Sequence, residues 1–235
     1  MGAAIAEFHK TGKAARLKVF SSMFDDDEIP VAHLFRSFGQ MPRLEQEALK
    51  LASGRVLDVG AGAGCHSIAL RQLNNPAVSS LSAIDVSPLS CQTMTERGLT
   101  DVRCVNMFDP AFFGEYDTIL LLMNGTGVVG TLDNLPAFFC RLGQLLAPGG
   151  QVLIDSSDLK YLFEDENGML DLEGVEGYYG EVDYQMKYKG IKGAPFDWLY
   201  VDFETLSNHA SANGFICEKI VDGEHYDYLV RLRKR

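Results

Sequence analysis

At 235 residues, with 46% apolar and 23% charged side chains, the chain is long enough for one globular domain with a full core. A formal charge of −11 argues against a nucleic-acid partner, since phosphate backbones are met by clustered Lys and Arg. No apolar run approaches the roughly 18 residues of a membrane span, the longest being Ile119–Met123.

The first residues carry Glu7 and lack the basic and apolar regions of a secretory leader. Cys65, Cys91, Cys104, Cys140 and Cys217 are scattered without paired spacing, which reads as reduced thiols in a cytoplasmic protein. His9, His33, His66, His209 and His225 lack ligand spacing as well, so no metal is expected.

In chain order, residues 1–53 read as a helical N-terminal cap. Asp25-Asp26-Asp27-Glu28 forms a solvated turn, a helix starts near Pro30, and Pro42 opens another that ends at Gly54. Residues 54–155 then alternate strands with helices. Strands are predicted at Arg55–Val59, Leu81–Asp85, Val102–Asn106, Thr118–Met123 and Gln151–Asp155, and helices at Cys65–Leu73, Pro88–Arg97 and Leu135–Leu146. Such alternation requires right-handed crossovers and a parallel, doubly wound α/β sheet. Pro148-Gly149-Gly150 is expected to stop the Leu135 helix and turn the chain into the next strand.

Residues 156–203 form an insertion rich in tyrosine, with Tyr178, Tyr179, Tyr184, Tyr188 and Tyr200. Gly180–Lys189 has the period-2 pattern of a half-buried strand, and Trp198–Phe203 is expected to pair with it across Gly190–Pro195. Residues 204–235 close the domain with a helix, Glu204–Ala212, and a hairpin, Phe215–Val221 with Tyr226–Leu232. That hairpin makes the last strand antiparallel.

The chemistry concentrates at Gly60-Ala61-Gly62-Ala63-Gly64, between the Val56–Val59 strand and the Cys65 helix. Glycines there let a ligand lie against bare peptide N–H groups at a helix N-terminus. A dinucleotide fingerprint wants Gly where this chain has Cys65, so the loop points to another adenosine-bearing ligand. Asp85 ends the next strand, where a carboxylate can accept both ribose hydroxyls, and Val86 can pack on adenine. Asp58 is a further ligand-site candidate and partly structural in any reading, since a carboxylate there can accept the loop's own N–H groups.

Four blocks in order carry a family resemblance: Val56–Gly64, Ala83–Pro88, Tyr116–Leu121 and Leu145–Gly150. With them the chain resembles a class I S-adenosylmethionine-dependent methyltransferase, a Rossmann-like fold. The resemblance implies a mostly parallel seven-stranded sheet with an antiparallel last strand, a helical N-terminal extension and a β-hairpin insertion after strand 5. It also implies S-adenosylmethionine as cofactor; the charge and the lack of a span add the expectation of a small-molecule acceptor, no nucleic-acid or membrane partner, and a monomer or homodimer.

Gly60, Ala61, Gly62 and Gly64 would then face the amino-acid part of the ligand. Family members commonly place an acidic residue where it accepts from the adenine amino group. Asn106 stands there, followed by Met107 and Phe108, which serve equally as core, while Asp109 can cap the turn before Pro110.

Met123 and Asn124 lie at the strand edge that faces the methyl group in the family. The Asn-Gly-Thr-Gly sequence there lacks the Asn/Asp-Pro-Pro-Tyr/Phe tetrad of enzymes that methylate DNA or protein glutamine. Asn124 either orients an acceptor or tolerates a left-handed turn. His66 is a candidate general base with packed imidazole as the alternative, and Tyr184 belongs to a candidate substrate lid. Arg36 is a candidate partner for the ligand carboxylate. Methyl transfer needs mainly alignment and desolvation, so a non-catalytic binder of the same ligand and a nicotinamide oxidoreductase remain as alternatives.

Overall fold

Two sheets meet at the edge where the glycine loop leaves its strand. The computed structural model describes residues 1–164, 169, 170, 172, 175 and 177–235; the remaining positions of the 156–203 insertion lie outside the described residues. The chain opens with α1 (Gly2–Thr11), β1 (Leu17–Phe20), β2 (Asp27–Ile29) and α2 (Arg43–Leu51). The alternating core follows as β3 (Gly54–Val59), α3 (Cys65–Leu73), β4 (Val78–Asp85), α4 (Pro88–Glu96), β5 (Val102–Cys104), β6 (Tyr116–Leu121), α5 (Leu135–Leu145) and β7 (Leu146–Ser157). Then come β8 (Glu181–Tyr188), β9 (Ile191–Lys192), β10 (Phe196–Leu199), α6 (Phe203–Ala212), β11 (Phe215–Asp222) and β12 (Asp227–Lys234).

The large sheet has seven strands in the order β11-β12-β7-β6-β3-β4-β5. Strands β3 to β7 pair in parallel, and β12 runs antiparallel to both β7 and β11. Burial on both faces explains the apolar run of β3, in which Val56 and Leu57 are fully enclosed. On one face α5 and α6 bring Phe138, Phe139, Leu142 and Leu206 against Leu57, Ile119 and Ile154. On the other, α2 and α3 bring Leu44, Leu49 and Leu70 against Val56, Leu120 and Leu153. Each such large side chain contributes about 1.5–3 kcal/mol through burial. The strand order reverses between β3 and β6, which places a ligand crevice outside their carboxyl ends.

Local chemistry sets several boundaries. Ser87 Oγ accepts from Ser90 N–H (3.3 Å) and Pro88 opens α4, while Asp202 accepts from Thr205 N–H (2.9 Å) to start α6. The expected turn at Pro148-Gly149-Gly150 is instead part of β7. Helix α5 ends at Leu145 before the block, and Leu146 already pairs with Tyr116. The register then slips before Thr118 pairs with Gln151, with Gly149 at φ 76°. The glycines absorb a bulge there and do not stop a helix.

The small sheet was not anticipated as a whole. The expected hairpin forms between β8 and β10, but its second strand is Phe196–Leu199 and not Trp198–Phe203, because Asp202 caps α6 at Phe203; β9 adds a short pairing to β8. On its other side β8 pairs with β1, which pairs with β2, giving the order β10-β8-β1-β2. The N-terminal extension is helical at α1 and α2 and contributes a β-hairpin between them. Asp25 and Asp26 lie at the tip of that hairpin, whereas Asp27 enters β2. The residues after Pro30 form a short 3-10 turn, Val31–Phe35.

Candidate active site

The glycine loop turns on three left-handed residues: Gly60, Gly62 and Gly64 have φ of 67°, 58° and 79°. A side chain at such angles costs about 1–2 kcal/mol. The three glycines nevertheless do different work. A Cβ on Gly60 would meet nothing within 4 Å, so its surface is open to the cavity beside it. A Cβ on Gly64 would stand 3.0 Å from Leu99 and Met94, so that glycine lets the loop pack on α4 and the residues that follow it. Gly62 N–H donates to Asp85 Oδ2 (2.8 Å), and Ala61 N–H donates to the Ile84 carbonyl (3.0 Å), tying the loop to β4.

Asp85 also accepts from Ser87 N–H through Oδ1 (2.8 Å). Burial raises its pKa, opposed by these two backbone bonds. Each oxygen keeps lone-pair capacity for a further donor. Beside it Val86 is 68% exposed, an unusual amount of bare apolar surface at a strand end. Asn106 uses its carbonyl oxygen to accept from Phe108 N–H (2.9 Å), and Met107 and Phe108 run from the cavity into the core. Asp109 accepts from Ala111 N–H (2.8 Å) and caps its own turn.

Helix α1 roofs this half. Ile5 packs with Leu34, Ala63, Phe35 and Met123, and Gly2 comes so close to Ser87 that a Cβ would overlap its hydroxyl. Met1 lines the cavity, and burial lowers the pKa of its α-amino group while Asp85 opposes that shift.

At the end of β6 the backbone is strained. Met123 and Asn124 both adopt positive φ, 68° and 56°. Asp155 holds that turn by accepting from Met123 N–H (3.1 Å) and Gly125 N–H (2.8 Å). Its burial pushes its pKa up to about 6, against the backbone N–H groups of this turn. Asn124 spends its amide on structure, donating to the Leu199 carbonyl (3.1 Å) and accepting from Ser156 Oγ (3.3 Å).

The opposite wall comes from the small sheet. Tyr184 and Met186 of β8, Phe196 and Trp198 of β10, and Tyr200 line it. Tyr184 and Tyr200 join through their hydroxyls (3.1 Å), and the Phe196 ring lies 6.2 Å from Tyr184 and 6.0 Å from Trp198. Trp198 rests on Gly127, where a Cβ would come within 1.9 Å of the indole. The cavity between the two walls has a volume of about 1160 Å³. Among the described residues no group of three or more His, Cys, Asp or Glu is arranged to hold a metal ion, and no helix is long and apolar enough to cross a membrane.

No protein-family model matches the chain, and no curated protein matches it. Among solved structures, an S-adenosylmethionine-dependent methyltransferase from Bacteroides fragilis, in complex with S-adenosyl-L-homocysteine, is 56% identical. The match covers 99% of this chain and 93% of that one, with a TM-score of 0.92. The chain belongs to the S-adenosylmethionine-dependent methyltransferases. The CcbJ methyltransferase from Streptomyces caelestis (16% identity, 87% and 96% coverage, TM-score 0.64) shares the fold. So does the sugar N-methyltransferase KedS8 from Streptoalloteichus (19% identity, 86% and 88% coverage, TM-score 0.55).

In this methyltransferase, Gly60, Asp85, Val86, Asn106, Met107, Phe108, Met123, Asn124 and Tyr184 all line the cavity. Ala61, Gly62 and Gly64 support the loop from behind it, and Asp58 sits deeper, accepting from Ser67 Oγ (2.6 Å). Ala61, Gly62, Gly64 and Asp58, expected among the ligand contacts, are thus outside the lining, and two further candidates lie elsewhere. Arg36 does not line the cavity; its guanidinium is buried against the Glu45 carboxylate and donates to the His33 carbonyl (2.7 Å). His66 does not line it either, since its Nε2 stands 2.8 Å from the same Glu45. Burial opposes a proton on His66, but Cys65, Glu45 and Asp58 outweigh it and raise the pKa. A charged imidazole paired in this way is an anchor for α2 and α3, not a free base.

Proposed function

We propose that the enzyme transfers the methyl group of S-adenosylmethionine to a small-molecule acceptor held between the two sheets. The observation that carries this reading is the cavity of about 1160 Å³ that runs from Asp85 to Tyr184. The residues present fit an adenosyl sulfonium. Asp85 retains acceptor capacity for two ribose hydroxyls, Val86 offers uncovered apolar surface for adenine, and Gly60 leaves room where any side chain would intrude. Asn106, with Met107 and Phe108, is the proposed partner for the adenine edge. The cofactor, when bound, supplies a methyl group on a positively charged sulfur.

The protein's own share is alignment and dryness. Asp155 fixes the Met123–Asn124 turn, α1 closes the cofactor side, and the aromatic wall excludes water from the acceptor side. Bringing nucleophile and methyl carbon together in such a site supplies much of a displacement's acceleration. The net charge and the five free cysteines support a small-molecule acceptor and a cytoplasmic setting.

Calorimetry with S-adenosylhomocysteine tests the cofactor half, with micromolar-range binding expected for a site of this polarity and burial. A metabolite panel screened for S-adenosylhomocysteine release tests the acceptor half. Absence of any S-adenosylhomocysteine isotherm would refute the reading.

A further inference from the structure

Charge and aromatic surface are distributed unevenly over the cavity. Among the described residues, its lining contains no Lys, Arg or His side chain, and its only cation is the α-amino group of Met1 on the Asp85 side. Four carboxylates lie on the acceptor side instead: Asp25, Asp26 and Asp27 from the β1–β2 hairpin, and Asp197 from β10. Among the described residues, none of the four is paired with a cationic side chain in a salt bridge. Inside this acidic mouth stand Tyr184, Phe196, Trp198 and Tyr200, all half-buried. Three of the rings follow one another at 6.2 and 6.0 Å, with the last pair edge to face, so they form a cage and not a flat stack.

We propose that the acceptor is a cationic amine, docked with its ammonium group in the Tyr184–Phe196–Trp198–Tyr200 cage beneath the aspartates of the β1–β2 hairpin. This rests on the methyltransferase reading above and names its substrate class. A carboxylate or phosphate acceptor would enter a cavity with no countercharge on that side, at a large desolvation cost. An ammonium group gains from the ring faces, most strongly when water is excluded. The Tyr184–Tyr200 hydroxyl pair also keeps oxygen lone pairs that can accept from N–H. Exposed carboxylates at the mouth draw cations inward and repel anions.

The chemistry balances with the groups at hand. The docked ammonium releases one proton to solvent at the open, carboxylate-lined mouth. The freed nitrogen lone pair forms the new N–C bond to the methyl carbon, and the C–S bond breaks with its electron pair remaining on sulfur. The products are a methylated ammonium and a neutral thioether, so the positive charge passes from sulfur to nitrogen.

The test uses the full chain saturated with S-adenosylhomocysteine and two unreactive probes of nearly equal shape, choline and 3,3-dimethylbutan-1-ol, followed by calorimetry. Choline should bind roughly tenfold or more tightly than its neutral isostere. Equal binding, stronger binding of the alcohol, or no binding of either would overturn the proposal. The exposed double substitution Asp25→Asn/Asp26→Asn should weaken choline several-fold and leave S-adenosylhomocysteine affinity unchanged; unchanged choline affinity in it counts against the amine. Trp198→Leu should cost choline roughly tenfold with the cofactor isotherm intact. Failure of S-adenosylhomocysteine to bind the unsubstituted protein is a separate result, read in the first titration, and it would remove the methyltransferase reading together with the amine.

Discussion

The two walls of the cavity are made of different material. The cofactor wall is backbone and strand end: Gly60, the Gly62–Asp85 bond, and the Asp85–Ser87 turn all follow from successive β-α junctions close in sequence. The acceptor wall is side chain, assembled from a hairpin near residue 20 and strands beyond residue 180. Backbone recognition depends on turns that few residues can make, so it recurs as a motif. Recognition by side chains on a strand tolerates many alternatives and leaves no fixed spacing. On the proposed function, one wall is thus generic to the family chemistry and the other is particular to the acceptor.

Four measurements can break or sharpen that contrast, and the largest concerns what joins the walls. Arg36, Glu45 and His66 form a buried charged trio between the N-terminal extension and the core, and Glu45 is held below its ordinary pKa by His66 and Arg36 against the cost of burial. Glu45→Ala leaves two buried cations facing one another and should cost about 3–5 kcal/mol in denaturant unfolding. A loss under about 1 kcal/mol would mean that the extension is held by its apolar contacts alone.

The second is a pH effect at the seam. Asp155 has a folded-state pKa raised to about 6, so the native state binds its proton more tightly than the unfolded chain does. Its stabilising contribution is therefore full at about pH 4 and lost as pH rises through about 6. The stability difference between the unsubstituted protein and Asp155→Asn should shrink by roughly 2–3 kcal/mol between pH 4 and pH 7. A flat difference across that range, followed by thermal unfolding, would show that Asp155 is not desolvated.

Third, Asp85→Ala should weaken S-adenosylhomocysteine by about 1–3 kcal/mol, the scale of lost charged hydrogen bonds, and leave choline binding to the saturated enzyme unchanged. Coupled losses would merge the two walls into one site. The smallest effect is expected from Tyr184→Phe, which removes one hydroxyl from the Tyr184–Tyr200 pair. It should raise the acceptor KM by an amount equivalent to about 0.5–1.5 kcal/mol without altering cofactor affinity. A shift in the cofactor constant would contradict the division.

What could be read from the residues follows the same division. The alternating strands, the antiparallel β12 and the cavity position of Asp85 were legible because apolar period, turn glycines and strand-end acids act locally. The β1–β2 hairpin was not, since Leu17–Phe20 and Asp27–Ile29 are too short to show a period, and the second partner of β1 lies far along the chain. His66 and Arg36 misled for a related reason. His66 follows the glycine loop in sequence and Arg36 belongs to the extension expected to fold over it, but Glu45, a residue without any motif around it, turns both away from the ligand. Of the two uses open to Asn124, the structure shows the left-handed turn, with its amide bonded to Leu199 and Ser156.

The pairing of β1 with β8 also has a bearing on how the chain acquires its shape. Ala15 N–H donates to the hydroxyl of Tyr188, 173 positions away, and four consecutive β1 residues pair with β8. Loops of that span close slowly, because the entropy of bringing their ends together is lost before the contacts repay it. The parallel core needs only neighbouring units and can form first. During synthesis the cofactor half can thus mature while β8 is still unmade, and selectivity for the acceptor is the last property the growing chain acquires.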